Sequence, residues 1–316
     1  MKTQKITETL FIPEKMAGLR IDQALAQLFP QYSRSRLKEW LESGNITVNG
    51  EKLKPKNKIK GKEIIKLEAK LNEIIDHEPE DIQLTIVYED DELIIINKPV
   101  GMVVHPAAGN HQGTLLNALL HHAPVLAQLP RAGIIHRLDK DTSGLLVIAK
   151  TLEAYTDLVK QLQNREISRE YLAIISGALI SGGTIDKPIG RDPRHRTKMA
   201  VNENGKPAIT HYRILERFKD FTLVTVKLET GRTHQIRVHM AYIHHPIVGD
   251  QTYAGRLKFP KGASDVLCDQ LKTFKRQALH AYKLGFEHPT QKTWMEWEAK
   301  IPNDIEQLIT LLKREN

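Results

Sequence analysis

The chain has 316 residues, 41% of them hydrophobic and 27% charged, and 46 Lys and Arg against 38 Asp and Glu give a net charge of +8. That composition excludes a disordered or low-complexity polymer, and the length suits about two domains of ~100 to 200 residues each. The single cysteine, Cys268, excludes an intramolecular disulfide and a cysteine-built zinc cage, while the lack of an apolar run of about 20 residues or a signal-peptide core after Met1 predicts a cytoplasmic protein with no membrane partner.

The charge is unevenly spread: residues 1–70 carry a balance of +7, residues 71–92 hold no Lys or Arg and carry −9, and residues 93–316 carry +10. Two basic bodies joined by an acidic connector suit a polyanionic partner, because cationic patches draw phosphate backbones through counterion release. A merely solvated charged face is the competing reading. In chain order, Ile21, Ala24, Leu25 and Leu28 fall at the spacing of a short amphipathic helix. Ser33 or Ser35 can cap a second helix with the stripe Leu37, Trp40 and Leu41, from which Arg34, Arg36 and Lys38 project away and which Gly44 ends. Ile46 and Val48 alternate with polar residues up to Asn49-Gly50, a strong hairpin signal, so Glu51-Lys52-Leu53 is expected to begin the return strand. Lys52, Lys54, Lys56, Lys58, Lys60 and Lys62 would line one side of an extended segment or populate a flexible basic loop. Helix, helix and hairpin with these basic residues resemble the alpha-L RNA-binding motif of ribosomal protein S4, here over residues 14–68. That resemblance implies RNA contacts at Arg34, Arg36, Lys38 and Lys52.

Residues 69–81, acidic and containing Pro79, read as a linker. A second domain is expected over residues 82–316. Thr85 to Tyr88, the Glu89-Asp90-Asp91 turn and Leu93 to Ile96 predict a hairpin, and Leu115, Leu116, Leu119 and Leu120 share one helical face. The apolar runs Gly133 to Ile135 and Leu145 to Ala149 flank a knot of charged and turn residues, predicting strand, exposed loop and strand. Thr151 is placed to cap a helix carrying Leu152, Tyr155, Leu158, Val159 and Leu162. Further strands at Tyr171 to Ile175, Ala208 to Leu215 and Phe221 to Leu228 predict an α+β fold with a mixed or antiparallel sheet.

Three stretches stand out. The loop His136-Arg137-Leu138-Asp139-Lys140-Asp141-Thr142-Ser143-Gly144 holds the carboxylate of Asp139 between two cations at the mouth of a buried scaffold, a useful place for a reactive group. Taken alone it also fits an ordinary capped turn. Ser168-Arg169-Glu170-Tyr171 enters a strand. Thr230-Gly231-Arg232-Thr233-His234-Gln235-Ile236-Arg237-Val238-His239 opens a helix, with Thr233 as the expected cap and with His234 and Arg237 on one face. Together with Asn97-Lys98-Pro99, Gly205-Lys206-Pro207-Ala208 and His245-Pro246-Ile247-Val248-Gly249-Asp250, these stretches resemble the RluA/RluD family of pseudouridine synthases over nearly the whole chain. The resemblance implies that Asp139 is the catalytic aspartate, that Tyr171 stacks on the target base and that Arg237 pairs with the carboxylate. It implies that Arg137 fills the space left by an extruded nucleotide, with further RNA contacts at His136, Arg232 and His234.

The implied reaction breaks the bond between uracil nitrogen and the ribose anomeric carbon, turns the base and rejoins it through its 5-carbon. Nothing is oxidised and no group leaves, so neither cofactor nor metal is expected, in keeping with the lack of a Gly-x-Gly-x-x-Gly, Walker or Cys/His metal spacing. A carboxylate serves such a step as nucleophile or base. Arg237 would favour its charged form through two hydrogen bonds, with Arg232 as the alternative partner. A stacked uracil hides its sugar bond, which requires extrusion and an aromatic face to receive the base. The pairs His121-His122, His234 with His239, and His244-His245 form no metal pattern. Asp139 with Asp141 could meet the ~5 to 9.5 Å spacing of a glycosidase pair, but that reading leaves the basic N-terminal body unexplained. The expectation is a monomeric, cofactor-free synthase acting on uridines of 23S rRNA in the large ribosomal subunit or its precursor. A synthase acting on tRNA and a non-catalytic ribosome-assembly factor are the alternatives.

Overall fold

The computed structural model describes residues 4–315 apart from 31, 33, 72–77, 107–109, 111, 196 and 258. Contacts divide the chain into two units, Met1–Glu78 with Ala127–Ala132, and Pro79–Leu126 with Gly133–Asn316. In the first unit, β1 (Gln4–Phe11), α1 (Ile21–Leu28), α2 (Arg34–Ser43), β2 (Ile46–Val48) and β3 (Ile64–Leu71) follow one another, and the strands form an antiparallel sheet in the order β1-β3-β2. Helices of 8 and 10 residues are too short to be stable alone. Ile21 and Leu25 of α1 and Leu37 and Leu41 of α2 are fully buried in one cluster with Ile46, Ile65 and Leu67 of the sheet, each burial contributing roughly 1.5–3 kcal/mol.

The N-terminal expectations hold for both helices and fail for the hairpin. Gly44 (φ 87°) ends α2. Of the two cap candidates, Ser33 lies outside the described residues and Ser35 lies inside the helix. Asn49 (φ 52°) and Gly50 (φ 82°) do form the turn, and Val48 and Glu51 exchange both backbone hydrogen bonds. The return then stops after one bridge, and the strand that pairs with β2 is β3, with Ile46 opposite Leu67. The reason is burial: Ile65, Leu67 and Ala69 alternate with exposed Lys66 and Glu68, whereas residues 52–63 bury only Ile59. Lys52, Lys54, Lys56, Lys58 and Lys60 are all exposed on an irregular loop. The small sheet also reaches beyond the expected 14–68, because β1 pairs along the whole length of β3. Of the expected 69–81 linker, residues 69–71 belong to β3 and residues 72–77 lie outside the described residues.

The second unit runs β4 (Ile86–Glu89), β5 (Leu93–Lys98), α3 (Leu115–His122), β6 (Ser143–Ala149), α4 (Leu152–Gln163), β7 (Ser168–Ser176), β8 (Gly183–Asp186), β9 (Ile189–Arg191), β10 (Met199–Val201), β11 (Ile209–Arg217), β12 (Phe221–Leu228), α5 (Gln235–Tyr242), α6 (Asp265–Thr273), β13 (Leu279–Glu287), β14 (Trp294–Glu298) and α7 (Asn303–Arg314). Apart from the β9–β10 pair, the strands make one nine-stranded sheet in the order β4-β5-β6-β13-β7-β12-β11-β8, with β14 on β13. Among the strand pairings of this sheet in the described residues, β6–β13 alone is parallel, so the fold is α+β on a mixed sheet. Every residue of β6 is buried, which suits the unbroken apolar run of a central strand. Its parallel contact needs Gly144 (φ 120°), where a Cβ would lie 2.2 Å from the Ala281 carbonyl oxygen.

The expected strand at Gly133 to Ile135 reduces to one bridge, Ile134 to Ile148. Arg131, Ala132 and Gly133 all have positive φ, which interrupts extended backbone, and a Cβ on Gly133 would lie 1.9 Å from the Ala149 carbonyl oxygen. The chain therefore lies beside β6 at that one antiparallel bridge before it enters the 139–142 loop. Thr142 N–H donates to the Asp139 carbonyl (3.1 Å), and Gly101 N–H donates to that of Lys140 (2.9 Å). Lys98, fully buried at the end of β5, donates from Nζ to the carbonyls of Pro99 (2.8 Å), Met102 (3.0 Å) and Lys140 (3.0 Å).

Burial pushes Lys98 down to about 8, against the upward pull of Asp141 and Asp139. The unfolded chain keeps that proton to 10.5, so between these values it binds more protons than the folded chain. Stability linked to Lys98 therefore appears as pH rises through that window, on the order of 3 kcal/mol. Urea unfolding between pH 7 and 10.5 should show this rise in the native protein and lose it in Lys98→Met. An equal rise in both would assign the effect to another group.

Candidate active site

The sheet order brings together residues that are far apart in sequence. Asp139 precedes β6, Tyr171 lies on β7 across β13, and Arg237 lies in the first turn of α5, directly after β12, the other neighbour of β7. Arg237 Nη1 donates to Asp139 Oδ2 at 3.0 Å, with side chains 7% and 16% exposed. Its Nε and Nη2 donate to Asp250 Oδ2 (2.7 Å) and Oδ1 (2.9 Å), and the Asp250 side chain is fully buried. Asp250 Oδ1 also accepts the backbone N–H groups of Thr252 (2.8 Å) and Tyr253 (3.0 Å). The expected pair of hydrogen bonds to Asp139 is thus a single one, because the guanidinium fork is occupied by Asp250. Burial alone would lower the pKa of Arg237; the hydrogen bonds and charges of Asp250 and Asp139 outweigh it and raise the value, so the cation is permanent.

The helix start also differs from expectation. His234, not Thr233, occupies the cap position, in left-handed backbone (φ 56°, ψ 22°) and without a side-chain cap. The turn is held by Gln235: its Oε1 accepts from Thr230 Oγ1 (2.8 Å) and Arg232 N–H (3.0 Å), and its Nε2 donates to the Ile209 carbonyl (2.9 Å) and Thr210 Oγ1 (3.0 Å). The displaced His234 ring sits beside the site, with Nε2 3.9 Å from Asp139 Oδ1 and Nδ1 2.7 Å from Tyr253 Oη. Arg232 is tied elsewhere, donating from Nε to the Pro207 carbonyl (3.0 Å). The Asp139 pairing thus falls to Arg237 rather than to Arg232.

Tyr171 is 6% exposed on β7, and burial raises its pKa. Arg169, two residues earlier on the same face of the strand, is 5% exposed and its Nε has no hydrogen-bond partner among the described residues. Burial and the Arg169 cation hold His136 down at about 3, so it is a neutral ring whose Nε2 accepts the Val147 N–H (3.4 Å). His136 therefore offers no charge to a phosphate. Arg137 is exposed beside Asp139. In the first unit Lys52 is exposed, Arg34 bonds to Asp22 Oδ2 (2.9 Å), Arg36 lies 5.8 Å from the Trp40 ring centroid and Lys38 pairs with Glu42 (3.7 Å). Arg34, Arg36 and Lys38 thus have partners within the unit.

Sequence reading missed Asp250, Tyr253, Arg169 and Lys98 as parts of this site. Asp250, Arg169 and Lys98 stand inside stretches already singled out, but only the fold reveals what each touches. Tyr253 carries no local signal.

With this geometry in place, the comparisons are specific. Residues 92–242 match the RNA pseudouridylate synthase family and residues 19–65 match the S4 domain. The chain is 54% identical over 311 residues to ribosomal large subunit pseudouridine synthase D of Escherichia coli K12, covering 98% of this chain and 95% of that protein. The protein of the same name from Pasteurella multocida is 54% identical over 310 residues, at 98% and 96% coverage. Among solved structures, human RNA pseudouridylate synthase domain containing 4 superposes with a TM-score of 0.58 at 26% identity over 72% of this chain and 93% of that one. Human RNA pseudouridylate synthase domain containing 1 gives 0.53 at 26% identity over 75% and 97%. A buried arginine bonded to a loop aspartate, on a mixed sheet shared with those structures and in a sequence that matches these relatives end to end, makes the chain a member of the RluA/RluD family of RNA pseudouridine synthases.

Proposed function

We propose that the enzyme isomerises specific uridines of 23S rRNA to pseudouridine in the cytoplasm, acting as a monomer on the large ribosomal subunit or its precursor. In this reading residues 82–316 carry the chemistry, and the N-terminal unit, whose sheet runs from Gln4 to Leu71, binds RNA. The observation that carries the site assignment is the Arg237–Asp139 hydrogen bond of 3.0 Å. The substrate assignment rests on the 54% identity to enzymes named for the large ribosomal subunit.

Asp139 acts as nucleophile or base on the ribose of an extruded uridine. The bond between C1′ and N1 breaks, the uracil turns, C1′ bonds to C5, and the proton lost from C5 is balanced by one gained at N1. Arg237 aims the carboxylate, Tyr171 offers an aromatic face to the base, and Arg137 occupies the vacated stack. Asp139→Asn keeps size and removes charge. It should bind an in vitro transcript of large-subunit rRNA as the native enzyme does and form pseudouridine at under about a tenth of the single-turnover rate. A variant above that level would remove Asp139 from the chemistry.

Arg237→Ala should raise the barrier of the chemical step by about 2–4 kcal/mol, as loss of a preorganised electrostatic partner does. It should also lower stability by about 3–5 kcal/mol, because Asp250 would be left as an unpaired buried charge. Arg237→Lys should recover part of each, since one ammonium cannot serve two carboxylates with three directed hydrogen bonds. Urea unfolding and single-turnover assays separate the two effects. Lost RNA affinity with an unchanged rate at saturating RNA would make Arg237 a phosphate contact instead.

The exposed lysines of the first unit should supply affinity without chemistry. Replacing Lys52, Lys54 and Lys56 together by Glu should weaken transcript binding and lower the slope of log affinity against log salt by about one per lost phosphate contact. The rate at saturating RNA should stay within about twofold. An unchanged salt slope would free this loop from RNA binding.

A further inference from the structure

Tyr253 and His234 form a hydrogen-bonded chain that ends at the reacting carboxylate. The Met199 N–H donates to Tyr253 Oη at 3.0 Å, and Tyr253 Oη lies 2.7 Å from His234 Nδ1. A phenol has one proton to give. Oη already accepts from Met199, and Nδ1 is the acceptor within reach of its proton among the described residues, so the geometry favours Oη as donor and Nδ1 as acceptor. A ring that accepts at Nδ1 and is neutral carries its own proton on Nε2, the nitrogen 3.9 Å from Asp139 Oδ1.

The surroundings keep that ring neutral. Burial lowers the pKa of His234, and the cations Arg237 and Arg137 push the same way against the pull of Asp139 and Asp250. Asp139 thus has two unlike neighbours: a permanent cation bonded to Oδ2 and a neutral N–H facing Oδ1. The 3.9 Å gap exceeds a hydrogen bond, and a small turn of the carboxylate or one bridging hydroxyl closes it. A second cation there would stabilise the carboxylate further and blunt it as nucleophile or base, whereas a neutral donor directs it without that cost. His234 is held for this purpose in left-handed backbone, which only over-determined surroundings sustain in a non-glycine residue.

We propose that His234 is a positioning residue for Asp139, acting as a neutral Nε2–H donor whose tautomer is fixed by Tyr253, and not as a cation that grips RNA phosphate. The proposal rests on the catalytic reading of Asp139, but its first test does not need activity. In the RNA-free full-length protein, with ¹⁵N-labelled histidine and His234→Gln to assign the signal, the His234 ring should appear at pH 7 as the neutral Nε2–H tautomer. An imidazolium, or a proton on Nδ1, would overturn the proposal whatever the reaction proves to be.

Tyr253→Phe removes the hydroxyl and keeps the ring that packs under Arg237. With the in vitro large-subunit transcript, affinity and salt slope should stay within about twofold, while the single-turnover rate falls about tenfold, the cost of one hydrogen bond of ordinary strength. The acid limb of its rate–pH profile should move to higher pH, because the bond that favours neutral His234 is gone. A purely structural tyrosine would leave that limb in place, and an unmoved limb would overturn the assignment. His234→Gln, which restores a neutral N–H, should retain more rate than His234→Lys. The reverse order, with the lysine variant keeping native affinity, would make His234 a phosphate contact.

Discussion

The site depends on one guanidinium shared by two carboxylates. Asp250 takes the Nε/Nη2 fork of Arg237 and two backbone N–H groups besides, so that pair is close to neutral and is held rigidly. Asp139 receives only the remaining Nη1 bond. Three charged groups therefore sum to one negative charge, and that charge resides on the more exposed carboxylate, where RNA can reach it. A simple two-residue pair would have neutralised Asp139. Buried ion pairs are weak devices for stability; this one serves geometry, since a planar fork bonded at both ends cannot rotate without breaking a buried bond.

The sheet supplies the rigidity that this arrangement requires. β6 is buried along its whole length and meets β13 in a parallel pairing, through a glycine that no other residue could replace without a backbone clash. The Asp139 loop leads into that strand. On its far side Lys98 spends its ammonium on three backbone carbonyls, including that of Lys140, and so gives up the freedom of a surface lysine to fix the loop. Burying an ammonium is unfavourable, as its lowered pKa records, and the gain is a loop whose backbone position is set before substrate arrives.

Charge is divided by residue type around the site. The histidines near it are neutral: burial holds His136 at about 3 and His280 at about 4, and lowers His234 and His239. Attraction for a phosphate backbone then falls to the exposed arginines and lysines, since buried Lys98, lowered to about 8, is bonded to backbone carbonyls. Imidazoles serve instead as acceptors and donors of fixed direction, as His136 does for Val147 and His239 for Thr210.

The order of amino acids alone encodes the local elements whose signal lies in short-range periodicity and turn chemistry: α1, α2, the Asn49-Gly50 turn, α4 with its Thr151 cap and the long strands β7, β11 and β12. It also determined the family, because Asp139, Tyr171 and Arg237 each stand in a long string of residues that few other folds would need together. The tertiary structure decided what those residues touch. The return partner of β2 comes from residues 64–71 because apolar alternation resumes only there, and pairing over that distance leaves no local trace. The strand expected before Asp139 collapses to a bridge because three positive-φ residues interrupt the extended backbone there. Asp250 claims the fork of Arg237, and Tyr253 bonds Nδ1 of His234, at sequence separations of 13 and 19. Hydrogen bonds of that kind depend on where helix and loop are set down upon the sheet, and no spacing within a single stretch encodes them.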